Sequence, residues 1–134
     1  MAAPRPLPRL DAENRPFWTG GAAGELRIMR CQDCQAFIHP PRPVCRSCLS
    51  ENVAPEVVGG TGVVDTFTVN YQKWHPAAEV PYVIARVAID GAPGVYLTTN
   101  IVGCPVHAVD IGDRVRVTFE QQDDVYLPLF EKMV

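Results

Sequence analysis

Four of the five cysteines fall into two Cys-x-x-Cys pairs, Cys31-Gln32-Asp33-Cys34 and Cys45-Arg46-Ser47-Cys48, with ten residues between them. A two-residue gap lets one tight turn aim both sulfurs at a common point. Two such turns supply four thiolates, the tetrahedral shell that zinc prefers at bonds of about 2.3 Å. Four thiolates also accept iron, the competing occupant. With four protein ligands the shell is closed and leaves no position for water or substrate, so a structural ion is expected rather than a catalytic one. A ribbon of roughly 25 residues cannot bury enough apolar surface to fold by itself, and the metal supplies what its core lacks. Disulfides need an oxidising compartment, and thioredoxin-type chemistry needs one Cys-x-x-Cys opening a helix beside a parallel strand. Two knuckles on short β turns fit neither. Between them His39-Pro40-Pro41-Arg42-Pro43 makes a stiff extended loop. Arg30, Arg42 and Arg46 are expected around the centre, offsetting the charge of a dianionic metal–thiolate group or receiving an anion.

Other catalytic chemistry is sparse. Serine occurs only at Ser47 and Ser50, which leaves no nucleophile elbow and no triad. Cys104 ends an apolar strand just before Pro105, a place for a small buried hydrophobe rather than a nucleophile, although His107 lies three residues on. His39 and His75 each precede a proline with no neighbouring carboxylate, so they read as surface or partner-contact residues rather than general bases. Gly59-Gly60-Thr61-Gly62 lacks the lysine and the strand-to-helix setting of a nucleotide loop. Asp123-Asp124 reads as a solvated hairpin turn.

The elements that must position the cysteines are mostly strands. Residues 1–24 read as an arm: Pro4, Pro6 and Pro8 favour an extended start, Asp11 can cap a helical turn, and Pro16 suits the first position of a second one. That second turn carries Phe17 and Trp18 and is ended by Gly20, Gly21 and Gly24. The ribbon is expected over residues 25–58, entered by a strand at Glu25–Arg30. Residues 59–134 then carry strands at Thr61–Tyr71, Tyr82–Ile89, Val95–Val102, Arg114–Glu120 and Val125–Phe130. In the fourth of these, Val115, Val117 and Phe119 alternate with Arg114, Arg116 and Thr118. Five strands with no helical pattern long enough for parallel crossovers argue for an antiparallel all-β unit. Room for one helical turn between the third and fourth strands is the layout of an OB-fold.

A length of 134 residues leaves room for one ordinary domain or a small module fused to a compact one, which excludes large multidomain enzymes. No apolar run reaches the roughly 18 residues of a membrane helix, and no hydrophobic segment follows the arginines at the start, so a cytoplasmic protein with no membrane partner is expected. Charge is split: residues 1–50 hold seven arginines and four acids, whereas residues 51–134 hold five basic groups and eleven acids. A nucleic-acid backbone calls for a basic stripe, and the acidic larger part does not provide one.

PFWTGGAAGELRIMRCQDC, HPPRPVCRSC, GTGVVDTFTVNY, PYVIARVAID, Val102-Gly103-Cys104, IGDRVRVTF and a terminal LPLF occur in this order. In that combination, from Asp11 to Phe130, the chain resembles the bacterial and archaeal zinc-ribbon plus OB-fold proteins associated with acyl-CoA enzymes. The resemblance implies a helical arm, a rubredoxin-like ribbon and an OB barrel. It also implies a non-catalytic partner of a thiolase or a thiolase-like aldolase, synthase or acyltransferase, including those of steroid side-chain systems, with the barrel helping to form the acyl-CoA channel. Many ribbons of this kind carry glycine directly after the second cysteine of each knuckle. Here Gln35 and Leu49 hold those places, where left-handed backbone is less comfortable. Expected contacts with the partner or with acyl-CoA are Phe17, Trp18, Arg42, Tyr71, Trp74, His75 and Phe130. The alternative is a nucleic-acid-binding ribbon and OB module, which needs a cationic groove with stacking aromatics. A third reading, an independent acyl-CoA hydrolase, needs a base or nucleophile that the residues do not offer.

Overall fold

The computed structural model describes residues 5–76 and 78–133. Pro4, part of the expected extended start, lies outside them. From Arg5 to Leu10 the chain has no regular structure. Asp11 and Asn14 then exchange backbone-to-side-chain hydrogen bonds, each 2.8 Å, which closes a turn in front of helix α1 (Arg15–Thr19). Pro16 sits in the first turn of α1, where its missing N–H costs nothing. A 3-10 turn at Gly20–Ala23 follows and ends on Gly24 at φ 70°, a conformation that glycine adopts without a Cβ penalty.

Such short helices are not stable alone, and this one is fixed by packing. Phe17 is buried in the main core, with Trp18 edge-on to it at 4.8 Å and packed against the same cluster. A Cβ at Gly21 would lie 2.7 Å from the Phe119 ring and 2.5 Å from Tyr126 Cβ, so only glycine lets the arm lie this close to the barrel. At the start of the described chain Arg5 pairs with Glu120 at 2.8 Å and donates to Asn100 Oδ1 at 2.9 Å.

The ribbon is a three-stranded antiparallel sheet in the order β2-β1-β3, formed by β1 (Leu26–Cys31), β2 (Phe37–Ile38) and β3 (Val53–Val58). Of these, the sequence indicated only β1. Pro55 makes VAPEVV read as a break, yet β3 lies on the edge of the sheet, where a missing N–H is tolerated.

Five strands close a barrel in the order β4-β5-β6-β8-β7: β4 (Thr61–Asn70), β5 (Tyr82–Ile89), β6 (Tyr96–Val102), β7 (Arg114–Gln122) and β8 (Val125–Lys132). The 3-10 turn Val106–Ala108 separates β6 from β7, as the OB layout requires. β4 serves two neighbours, bending through a register shift at Val64/Thr66. Gly62 permits the tight pairing at its start, because a Cβ there would meet the Ala88 carbonyl oxygen at 2.5 Å. One junction corrects the expectation of a wholly antiparallel unit: β6 and β8 run parallel, paired only at Ile101↔Phe130 and Val102↔Glu131. Where those strands have not yet met, β8 accommodates Pro128, whose carbonyl accepts a 2.8 Å hydrogen bond from Thr99 Oγ1.

Phe17 of the arm and Leu26 and Ile28 of β1 share one core with the barrel, whereas Met29, Cys31, Ile38 and Cys45 form a separate small cluster around the knuckles. Among the described residues no helix is long and apolar enough to cross a membrane.

Candidate functional site

The two knuckles are built alike. Each begins with a buried cysteine whose N–H is bonded five residues ahead, Cys31 to the Ala36 carbonyl and Cys45 to the Ser50 carbonyl, both at 2.8 Å. Each closes back on its first cysteine, with Gln35 N–H donating to Cys31 O at 3.0 Å and Leu49 N–H to Cys45 O at 2.9 Å. Closure forces the residue after the second cysteine into left-handed backbone, φ 68° at Gln35 and 64° at Leu49. Backbone N–H groups then point at sulfur: Cys34 N–H to Cys31 Sγ and Ser47 N–H to Cys45 Sγ, both at 3.4 Å.

All four sulfurs lie within 4.8 Å of one another, with Cys31–Cys48 at 3.5 Å and Cys34–Cys45 at 3.6 Å. A tetrahedron with 2.3 Å metal–sulfur bonds has edges of about 3.8 Å, so these residues fit a four-thiolate ion. The Cys34 N–H, helped by other donors, brings the Cys31 thiol down to about 6. At Cys48 the Ser50 N–H acts in the same sense but is outweighed by the Cys31 sulfur, burial and the sulfurs of Cys34 and Cys45, which push it up to about 12. Ionisation is thus eased at Cys31 and opposed at Cys48 by its neighbouring sulfurs, and a bound cation would remove that opposition.

Asp33 ties the knuckles together, accepting from Ser50 Oγ at 2.5 Å and Asn52 Nδ2 at 3.2 Å, and these bonds hold its carboxyl below the usual range. Arg30 pairs with Glu56 at 2.8 Å and lies over the Phe37 ring at 4.4 Å, so its charge is already engaged by the sheet. Arg42 and Arg46 are exposed and line a groove of about 820 Å³ between the ribbon and the β5–β6 turn at Gly94 and Val95.

The expected contact residues divide sharply. Phe17 (6% exposed) and Phe130 (0%) are enclosed by the chain's own core, since burying a ring of that size is more favourable than leaving it in water. Trp18 is half-buried beside Phe17. Tyr71 (71%) and Trp74 (76%) stand in solvent with His75 on the β4–β5 connection, where Trp74 Nε1 donates to Asn70 Oδ1 at 3.2 Å. Cys104 packs against the barrel core and His107 is exposed in the 3-10 turn.

His39 departs from its reading as a surface residue. Its ring lies 5.0 Å from Phe17, its Nδ1 is buried with no hydrogen-bond partner among the described residues, and burial lowers its pKa from the ordinary 6.5. In the unfolded chain it protonates near 6.5, whereas the folded form resists the proton. Its contribution is therefore complete above that value and declines as pH falls below it. Thermal melts of wild type and His39→Phe from pH 8 to pH 5 are expected to diverge, with the wild type losing more stability on acidification. Parallel curves would assign the acid sensitivity elsewhere.

Residues that the sequence did not single out as contacts are Val44 and Leu49, 36% and 76% exposed on the second knuckle. The only signal was the occupation of a glycine place by leucine.

Residues 18–54 match the family described as ChsH2, rubredoxin-like zinc ribbon domain, and residues 56–120 match ChsH2, C-terminal OB-fold domain. A probable enoyl-CoA hydratase alpha subunit of Thermomonospora curvata is 34% identical over 131 residues, 97% of this chain. The 3-oxo-4,17-pregnadiene-20-carboxyl-CoA hydratase alpha subunit of Mycobacterium tuberculosis is 36% identical over 103 residues, 77% of this chain. The chain spans 40% and 32% of the length of these two relatives. A DUF35 domain-containing scaffold protein of Methanocaldococcus jannaschii is 29% identical over 69% of this chain and 66% of its own. Among solved structures, a chain of the Ltp2-ChsH2(DUF35) aldolase superposes with a TM-score of 0.83 at 33% identity, covering 96% of this chain and all of that one. A DUF35-family protein from Sulfolobus solfataricus shares the fold at a TM-score of 0.61 and 18% identity. Two adjoining domain matches, and a relative aligned along its full length, establish that the chain belongs to the ChsH2 (DUF35) family of zinc-ribbon plus OB-fold proteins.

Proposed function

We propose that the chain is a non-catalytic scaffold subunit that docks on a thiolase-like enzyme, such as a steroid side-chain aldolase, and helps form its acyl-CoA channel. The observation that carries this reading is the full-length correspondence with a chain of the Ltp2-ChsH2(DUF35) aldolase. The scaffold name of the archaeal relative and the acyl-CoA substrates in the names of the hydratase subunits support the same class of role. The ion held by Cys31, Cys34, Cys45 and Cys48 is zinc, supported by sulfur spacing near a zinc tetrahedron edge and by the ribbon family matched. It is structural, since four protein ligands close its shell. Tyr71, Trp74 and His75, exposed together on one loop, and Arg42 on the ribbon are suited to contact the partner or the thioester. The acidic balance of the barrel half favours this reading over a nucleic-acid module.

The test is co-expression with a thiolase-like protein from the same organism. Joint elution at fixed stoichiometry through size exclusion is expected. Separate elution, with retention of the free chain on heparin at low salt, would support nucleic-acid binding instead.

A further inference from the structure

Two knuckles of the same construction differ in what they do with the left-handed residue that closes them. Gln35 and Leu49 occupy equivalent places at φ 68° and 64°, where a non-glycine residue is uncommon and costs conformational energy. Gln35 gains something in return within the chain: its side-chain amide donates to Gln32 O at 2.9 Å and its carbonyl accepts from Arg30 at 2.9 Å. Leu49 gains nothing of the kind. Its side chain is 76% exposed and belongs to neither core cluster. Glycine would close this turn with less strain and leave less apolar surface in water, so folding alone does not account for leucine here.

The surroundings specify what does. Leu49 lines the groove beside the ribbon together with Val44, Arg42, Arg46 and Ser47. Neither Arg42 nor Arg46 forms an ion pair among the described residues, in contrast to Arg30 across the same ribbon. Two unneutralised guanidinium groups therefore flank two exposed aliphatic side chains. Pro40, Pro41 and Pro43 stiffen the backbone that carries them, which reduces the ordering cost of any contact. Arginine is enriched at the energetic centres of protein interfaces, and apolar area shielded from water lies at their cores, so exposed aliphatic side chains beside two arginines have the parts of such a centre.

We propose that Leu49 is the anchor of the docking surface, inserted into an apolar pocket on the thiolase-like partner whose rim carries carboxylates for Arg42 and Arg46. This rests on the scaffold role proposed above and places its main contact on the second knuckle rather than on the aromatic β4–β5 loop. The two effects of Leu49 have opposite sign: it costs the free chain stability and gives the complex affinity.

Titration calorimetry of the purified zinc-loaded chain with the purified thiolase-like subunit, alongside thermal melts, separates the possibilities. Leu49→Gly is expected to melt no lower than wild type, retain its metal, and bind at least about tenfold more weakly. Gln35→Gly relieves the same backbone strain at the other knuckle and is expected to bind as wild type does. Arg46→Glu is expected to weaken binding and to reduce its dependence on salt. If wild type binds and Leu49→Gly binds equally well, or if Trp74→Ala alone carries the loss, the anchor is misplaced while the scaffold role stands. If wild type does not bind, the scaffold role fails and this inference falls with it.

Discussion

Removing the ion from the four cysteines is expected to dissolve the ribbon while leaving the barrel recognisable. The cluster around the knuckles consists of Met29, Cys31, Ile38 and Cys45, with Ala36 and Val53 against it, and two of its four buried members are themselves ligands. So small a core cannot hold β1, β2 and β3 without the cross-link, since structural zinc typically supplies about 10 kcal/mol or more of folding free energy in such modules. Native hydrogen exchange after chelation should show the amides of Val53–Val58 losing protection first, with those of β5 and β7 retaining it. The barrel will be weakened too, because Leu26 and Ile28 of β1 belong to its core. Cys45→Ser should behave as the chelated protein does. A metal-free preparation with unchanged melting and unchanged protection in β3 would contradict the assignment of a structural centre.

The second large effect concerns Phe130. It is fully buried and pairs with Ile101 of β6 and Val117 of β7, at the place where the last strand closes the barrel. Truncation to alanine should cost about 3–5 kcal/mol through lost burial and the cavity left behind. Against a typical domain stability of about 5–15 kcal/mol this is a large fraction, and at this chain length it corresponds to a fall in Tm of about 10–20 °C. Trp74→Ala, by contrast, removes a side chain that is mostly in solvent and should change stability by less than about 0.5 kcal/mol. Urea titration of both variants checks the contrast. A stable Phe130→Ala protein with reduced partner binding would instead assign this residue the partner contact that the sequence indicated.

The metal centre was legible in the sequence because its geometry is local: two residues between cysteines fix a turn, and two turns fix a shell. The barrel strands were legible because β-branched runs alternate between turn residues. What escaped depended on context. β3 was hidden by Pro55, which is harmless only on an edge, and the parallel junction of β6 with β8 joins residues about thirty positions apart through two pairs. The direction in which Phe17 and Phe130 turn was not legible, because an aromatic ring in a marginal segment has the same sequence signature whether it turns inward or outward. His39 was misread for a related reason, since it meets Phe17 of α1, a contact between residues distant in sequence. Leu49 drew notice as an awkward turn residue, and only its exposure beside Arg42 and Arg46, which form no ion pair among the described residues, gives that awkwardness a meaning.

The most direct measurement compares acyl-CoA turnover by the isolated chain, by the isolated thiolase-like subunit, and by the two mixed at equal concentration, with a steroid side-chain thioester among the substrates. No conversion by the chain alone is expected, together with a rate for the mixture well above that of the partner alone. Thioester conversion by the chain alone, or a partner whose rate is indifferent to its presence, would contradict the scaffold role.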